Sequence, residues 1–255
     1  MKIGILTRRR TGLVKDLKAV LEQMEYVVRI YSYDNLHIDE SLFNNDFYIL
    51  KSKKELFLNA AFYIKAHGIP IFPDPDICYS HRNRVKAHQL IRTYGLKCPN
   101  IYVGILGMLQ KKLRPKDFPL VQKKIMGSES KGVFVVNSLQ EVKSQDPIIY
   151  LEEYIEGTHF NVHFIEDEIE VFLKKPFDPE IVKRTELTED IEDLIRRWKS
   201  NHETKLRFGH LDIIREKDSN ELYIVDVGTF PQFSHWEPSK KPLKKLVAII
   251  LNEIE

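Results

Sequence analysis

Cysteine is scarce in this chain: Cys78 and Cys98 are the only two among 255 residues. Two thiols make neither a disulfide framework nor a zinc site, and they point to a reducing compartment. No apolar run approaches the roughly 20 residues that cross a bilayer. The first residues enter a strand rather than an apolar leader core, so a soluble cytoplasmic protein is expected. An excess of one charge is missing too, since 39 Lys+Arg face 37 Asp+Glu for a net +2. That balance argues against nucleic-acid and membrane partners. No G-x-G-x-x-G follows the first apolar strand, and no glycine loop runs into Lys-Ser/Thr, so neither a dinucleotide fingerprint nor a Walker loop is supported. There is no internal repeat and no low-complexity tract.

What is present is charge, 30% of residues, beside 11% aromatics. This describes a folded chain with a solvated surface and ample length for a packed core. Two stretches organise it, Leu211-Asp212-Ile213-Ile214 and Leu222-Tyr223-Ile224-Val225-Asp226-Val227-Gly228. Each is an apolar run broken by one aspartate, and Lys217-Asp218-Ser219-Asn220 between them is turn-rich, which predicts a β-hairpin. A carboxylate inside an apolar strand is costly unless hydrogen-bonded, charge-paired or bound to a metal. Asp212 and Asp226 therefore either converge on one cation or are neutralised separately by Lys or Arg.

Upstream, Lys2–Thr7, Tyr26–Tyr31 and Phe47–Lys51 read as strands, with helices over Val14–Met24 and Glu55–Ala66 and a short strand before Pro73. This alternation predicts a small, mostly parallel sheet. Arg8, Arg9 and Arg10 follow its first strand and Lys51 ends its third, at the edge where such sheets gather ligands. They are anion-binding candidates or a solvated loop. Asn83 caps a helix to about Tyr94, with Arg82, Arg84 and Lys86 crowding its first turn, which suits a bound anion or forms a basic helix surface. Strands over Phe118–Lys124 and Val133–Val136 flank Gly127-Ser128-Glu129-Ser130-Lys131-Gly132, whose small residues let backbone N–H groups approach phosphate. Ile148–Ile155 is an apolar strand interrupted by Glu152 and Glu153. Phe160–Ile165 and Glu168–Leu173 form a second hairpin ending in Lys174-Lys175, and helices cover Thr188–Trp198 and Pro242–Ile254. His159, His163, His202, His210 and His235 follow no metal-binding spacing and read as structural or exposed.

The order and spacing of these segments, over about residues 70–250, resemble the ATP-grasp superfamily. The fold this implies is an α/β N-terminal layer followed by α+β ATP-grasp lobes. Residues 1–75 would be the substrate-side domain and 76–255 the ATP-grasp domain, with a flap lobe over about 100–155 and a C-terminal lobe over about 156–255. The resemblance implies ATP and Mg²⁺ as cofactors and a small anionic molecule as substrate. Arg84 and Lys123 would reach the nucleotide, and Gly127, Ser128, Ser130 and Gly132 would form a flap over it. Glu153, Tyr154 and Ile155 would face the adenine, mainly through backbone. Asp212 and Asp226 would be metal ligands. Lys174, Arg184 and Asp212 would be catalytic, and Arg8, Arg9, Arg10, Lys51 and Lys175 would bind the acceptor.

Two branches are similar. Inositol polyphosphate kinases of the 1,3,4-trisphosphate 5/6-kinase type are matched at Asp74-Pro75, Asn83-Arg84-Val85-Lys86, Lys175-Pro176 and Asp226-Val227-Gly228-Thr229-Phe230-Pro231-Gln232. The flap instead resembles that of α-L-glutamate ligases. The implied activity is transfer of the ATP γ-phosphate to a small polyanionic acceptor such as an inositol phosphate. The alternatives are a carboxylate–amine ligase acting through an acyl phosphate, and a non-catalytic nucleotide binder. Gly228 stands where the family carries a metal-binding Asn, so restoring Asn there is expected to tighten Mg²⁺ dependence.

Overall fold

In the first layer, residues alternate in period two between two cores. A computed structural model describes residues 1–127, 132–143, 147–177, 181–200, 206–230 and 233–254. Strands β1 (Lys2–Leu6), β2 (Val27–Tyr31), β3 (Phe47–Leu50) and β4 (Ile71–Phe72) form a parallel sheet in the order β2-β1-β3-β4. Ile3, Ile5, Phe47 and Ile49 enter one core, and Leu6, Tyr48 and Leu50 the other. Helix α1 (Gly12–Gln23) covers the first side with Val14, Leu17 and Leu21, spaced i, i+3, i+7. Each such side chain contributes roughly 1.5–3 kcal/mol by leaving water. Helix α2 (Glu55–Ala66) covers the second side with Phe57, Leu58, Ala61 and Ile64.

Helix α3 (Pro75–Arg82) was not expected from periodicity, yet its signal is local. The Asp74 side chain accepts from Asp76 N, and Pro75 occupies the first helical position, where no N–H is needed. Asn83 ends α3 and caps α4 (Arg84–Thr93), accepting from Val85 N and Lys86 N at 3.1 and 3.2 Å. Next comes a four-stranded antiparallel sheet of β5 (Ile101–Gly104), β6 (Leu120–Lys123), β7 (Phe134–Val136) and β8 (Ile149–Glu153), ordered β5-β8-β6-β7. Helix α5 (Leu106–Lys112), a second element the sequence reading lacked, packs Leu109 against its apolar face.

The third sheet is antiparallel and larger. It comprises β9 (Gly157–Ile165), β10 (Glu168–Lys174), β11 (Ile181–Thr185), β12 (Phe208–Glu216) and β13 (Leu222–Gly228), ordered β11-β10-β9-β12-β13. Both predicted hairpins are present, and β11 is additional. One face carries Phe160, Val162, Phe164, Leu211 and Ile213 into a core shared with α4 and α6 (Glu189–Ser200). The last helix, α7 (Pro242–Ile254), places Leu246, Val247, Ile249 and Ile250 in the core beneath β1. Among the described residues no helix is long and apolar enough to cross a membrane.

Candidate functional site

The other face of the five-stranded sheet is polar. Period-two alternation on β9 turns His159, Asn161 and His163 to this side, and register places Ile214, Asp212 and His210 of β12 opposite them. On β10, Glu170 and Lys174 share the face. On β13, Asp226 pairs with Asp212 and Gly228 with His210. This face bounds a cleft of about 660 Å³, closed by β6 and β8 and by the loops after β1 and β3. That volume lies in the range of small-molecule sites.

The two aspartates share a face because of a β-bulge. Counting back from the turn, Ile214 faces Tyr223 and Ile213 faces Ile224, a register that would set Asp212 against Val225 and turn Asp226 into the apolar core. Val225 is the extra residue, and past it the register shifts so that Asp226 faces Asp212. Bulges re-aim side chains in this way. The Val225 carbonyl accepts from Lys123 Nζ at 3.2 Å.

Each carboxylate already has a cation. Lys174 Nζ donates to Asp212 Oδ2 at 2.7 Å and Asn161 Nδ2 to Oδ1 at 2.5 Å. Burial would raise the Asp212 carboxyl, but the Lys174 ammonium beside it prevails and holds it at about 2. Arg84 Nη2 donates to Asp226 Oδ2 at 3.2 Å. Separate cations neutralise the two carboxylates, which both border the same cleft. Among the described residues no three His, Cys, Asp or Glu side chains are close enough to hold a metal. Magnesium asks less of a protein, taking one or two carboxylates with phosphate oxygens and water. Paired carboxylates on neighbouring strands fit that demand.

Lys123 is buried in an ion pair with Glu152, whose other oxygen accepts from Tyr150 at 3.2 Å. Glu152 was missed as a site residue although alternation could have found it. On β8 it shares the cleft face with Tyr150, whereas Glu153 points the opposite way and accepts from Asn100 Nδ2 at 2.9 Å. Glu153, Tyr154 and Ile155 still line the cleft, and Tyr154 stacks on Phe177 with ring centroids 6.4 Å apart. Arg82 and Arg84 clamp the chain entering the small-residue loop: Arg82 donates to the Met126 and Gly127 carbonyls, and Arg84 to that of Lys124. Gly127 lines the cleft, while Gly132, at φ +76°, does not. Ser128 and Ser130 lie outside the described residues, as do Pro231, Gln232 and His202.

Of the remaining candidates, Arg8, Arg9, Lys51 and Lys174 line the cleft, whereas Arg10, Lys175 and Arg184 do not. Arg184 is half-exposed on β11 and engages Glu170 at 2.6 Å and Glu237 at 2.9 Å. Four of the five histidines read as structural or exposed reach the cleft: His159, His163, His210 and His235. Trp236 Nε1 donates to His163 Nδ1 at 3.3 Å, which fixes the tautomer of a buried ring, and burial lowers this imidazole to about 3. The expectation for Gly228 needs correction. A Cβ there would lie less than 3.0 Å from three atoms of the His210 ring. The space an Asn side chain would need is filled by the imidazole from the facing strand.

Residues 81–176 match the family model of the ATP-grasp domain. No curated protein matches the sequence. Among solved structures, a RimK domain ATP-grasp protein from Sphaerobacter thermophilus superposes with a TM-score of 0.76 at 9% identity, covering 98% of each chain. D-alanine–D-alanine ligase from Bacillus anthracis complexed with ATP gives 0.73 at 16% identity, covering 100% of this chain and 97% of that one. N5-carboxyaminoimidazole ribonucleotide synthetase from Thermotoga maritima gives 0.72 at 15%, with 98% and 76% covered. The chain has the ATP-grasp fold: a parallel N-terminal sheet followed by lobes built on antiparallel sheets.

Proposed function

We propose that this protein is an ATP-dependent enzyme that phosphorylates a carboxylate of a small anionic acceptor and passes the activated acyl group to an amine. The observation that carries this reading is the placing of Asp212 and Asp226 side by side on one sheet face, with Lys123, Lys174 and Arg84 around the same cleft. The structural relatives support the ligase outcome, a D-alanine–D-alanine ligase among them.

In this reading the stacked Tyr154 and Phe177 and the backbone of Ile155 receive the base. Lys123 and Arg84 neutralise the phosphates, with Lys123 held straight by Glu152. Mg²⁺, when bound, would supply neutralisation of phosphate charge, and Asp212 and Asp226 are the residues that would hold it. Lys174, 2.7 Å from Asp212 on the same cleft face, would offset negative charge on the transferring phosphoryl group. Such a site acts by positioning and electrostatics and needs no strong base.

A second reading is direct phosphorylation of an alcohol on a polyphosphorylated acceptor such as an inositol phosphate. The cation-rich loops after β1 and β3 favour it. Incubation with ATP, Mg²⁺ and pooled acceptors separates the two. ADP, phosphate and an amide establish the ligase, ADP with a phosphorylated alcohol establishes the kinase, and no ADP in any pool sinks both.

A further inference from the structure

The charges of the cleft do not balance. Nine Lys and Arg side chains line it against four Asp and Glu, in a chain whose overall excess is only +2. Three of those acids are occupied by Lys123, Lys174 and Arg84, and the fourth, Glu153, turns its carboxylate to Asn100. The surplus gathers at the end formed by the β1 and β3 loops.

Lys51 and Lys53 are its centre. Both follow β3 directly, at the carboxyl edge of the parallel sheet. Lys51 Nζ has a backbone carbonyl for a partner, that of Phe230 at 3.2 Å, and lies 4.8 Å from the centre of the Phe230 ring. Lys53 has no hydrogen bond and no ion pair among the described residues. It lies within electrostatic reach of Lys51 on one side and of Arg82, Arg84 and Asp226 on the other. Burial, then repulsion from Lys53 and Arg8, brings the Lys51 ammonium down to about 8. The N–H groups of Lys51 and Ser52 are both spent on the Leu6 carbonyl, which leaves the lysine side chains as the donors here. Like charges held close together work against folding.

We propose that this end of the cleft is an anion subsite built by Lys51 and Lys53. It would take a part of the acceptor that carries two negative charges, as a phosphate monoester or a pair of carboxylates does. This rests on reading the rest of the cleft as the nucleotide site, which assigns Lys123, Lys174 and Arg84 to ATP and leaves these lysines for the acceptor.

Calorimetric titration of the full chain with glycerol 2-phosphate, and separately with malonate, tests the subsite. Mg²⁺ and a non-hydrolysable ATP analogue are present at saturation, so the nucleotide phosphate positions are filled. At least one anion binds at millimolar concentration, chloride at equal ionic strength does not substitute, and Lys53→Met weakens binding about tenfold, the loss of one charge-assisted contact. Lys51→Met acts in the same direction. Each variant melts no lower than wild type, since a crowded cation has been removed. Binding of the monoester alone assigns a phosphate, and of malonate alone a dicarboxylate. Unchanged affinity in both variants, no binding of either anion, or displacement of the anion by the analogue overturns the proposal. Failure of the analogue itself to bind overturns the nucleotide reading instead, and the titration repeated without it still decides the subsite.

Discussion

Asp212 and Asp226 were legible in the sequence because a lone carboxylate in an apolar strand demands a partner. Their partners were not legible, because Lys174 lies 38 residues from Asp212, and Arg84 lies 142 residues from Asp226. Those ion pairs fix the expected behaviour of the variants. Asp226→Asn strands the Arg84 guanidinium, whose side chain is 7% exposed, and Asp212→Asn removes the carboxylate that neutralises Lys174, at 15%. Breaking a buried pair costs roughly 3–5 kcal/mol, and the partial exposure of Asp226 puts it at the low end. Both variants should melt lower and lose turnover together. Full turnover in a folded Asp226→Asn would remove it from the site. Gly228→Asn was first a restoration and now reads as a clash: the added side chain meets the His210 ring, and overpacking costs about 1–3 kcal/mol. Combining it with His210→Ala should recover the melting temperature. If the single variant melts like wild type, the imidazole does not fill that space.

At the scale of elements, runs with a clear period were read well, and short elements were missed. Helix α2 spans Glu55–Ala66 as expected, and β13 spans Leu222–Gly228. Helix α5 has seven residues with one buried side chain, too few to show a period, and β11, Ile181-Val182-Lys183-Arg184-Thr185, has a β-branched composition but only five residues. The bulge at Val225 left no sequence trace, yet it decides which face Asp226 takes. The Lys123–Glu152 pair joins β6 to β8 across the cleft face and gives the sharpest test at this scale. Lys123→Ala leaves a buried carboxylate without its cation and should lower stability by about 3 kcal/mol or more. Lys123→Ala with Glu152→Gln should recover most of that loss while ATP binding stays weak. Recovery of both by the double variant would make the lysine purely structural.

The whole molecule gathers buried imidazoles that stay neutral. Burial lowers His81 and His163 to about 3 and His159 and His210 to about 4, against 6.5 when unfolded. Between pH 6.5 and 4 the unfolded chain takes up protons that the folded chain refuses, so stability falls on acidification. His81 and His163 each contribute at most about 1.4 kcal/mol per pH unit. The sign for Lys51, lowered to about 8, is a gain in stability as pH rises from 8 towards 10.5. Melting temperature against pH checks both, and His163→Gln, which keeps an acceptor for Trp236, should flatten the acid limb. A wild-type curve level from pH 7 to 4.5 would refute the assignment. Near pH 7, Mg²⁺ with ATP should raise the melting temperature by mass action, and Lys123→Ala should lose most of the rise. No rise at millimolar ATP would leave the cleft without a nucleotide.

The packing of α7 onto α1 carries a consequence for how the protein is made. Val14, Leu17 and Leu21 find part of their covering only in Leu246, Val247 and Ile250. On a ribosome adding roughly 5–20 residues per second, the stretch from Gln23 to Pro242 takes on the order of 10–45 s to emerge. For that interval the apolar stripe of α1 is only partly covered, and by its end the nascent chain holds both antiparallel hairpins of the third sheet. A stalled or truncated translation product ending before Pro242 would carry this stripe partly exposed, as a ready substrate for chaperones and proteases.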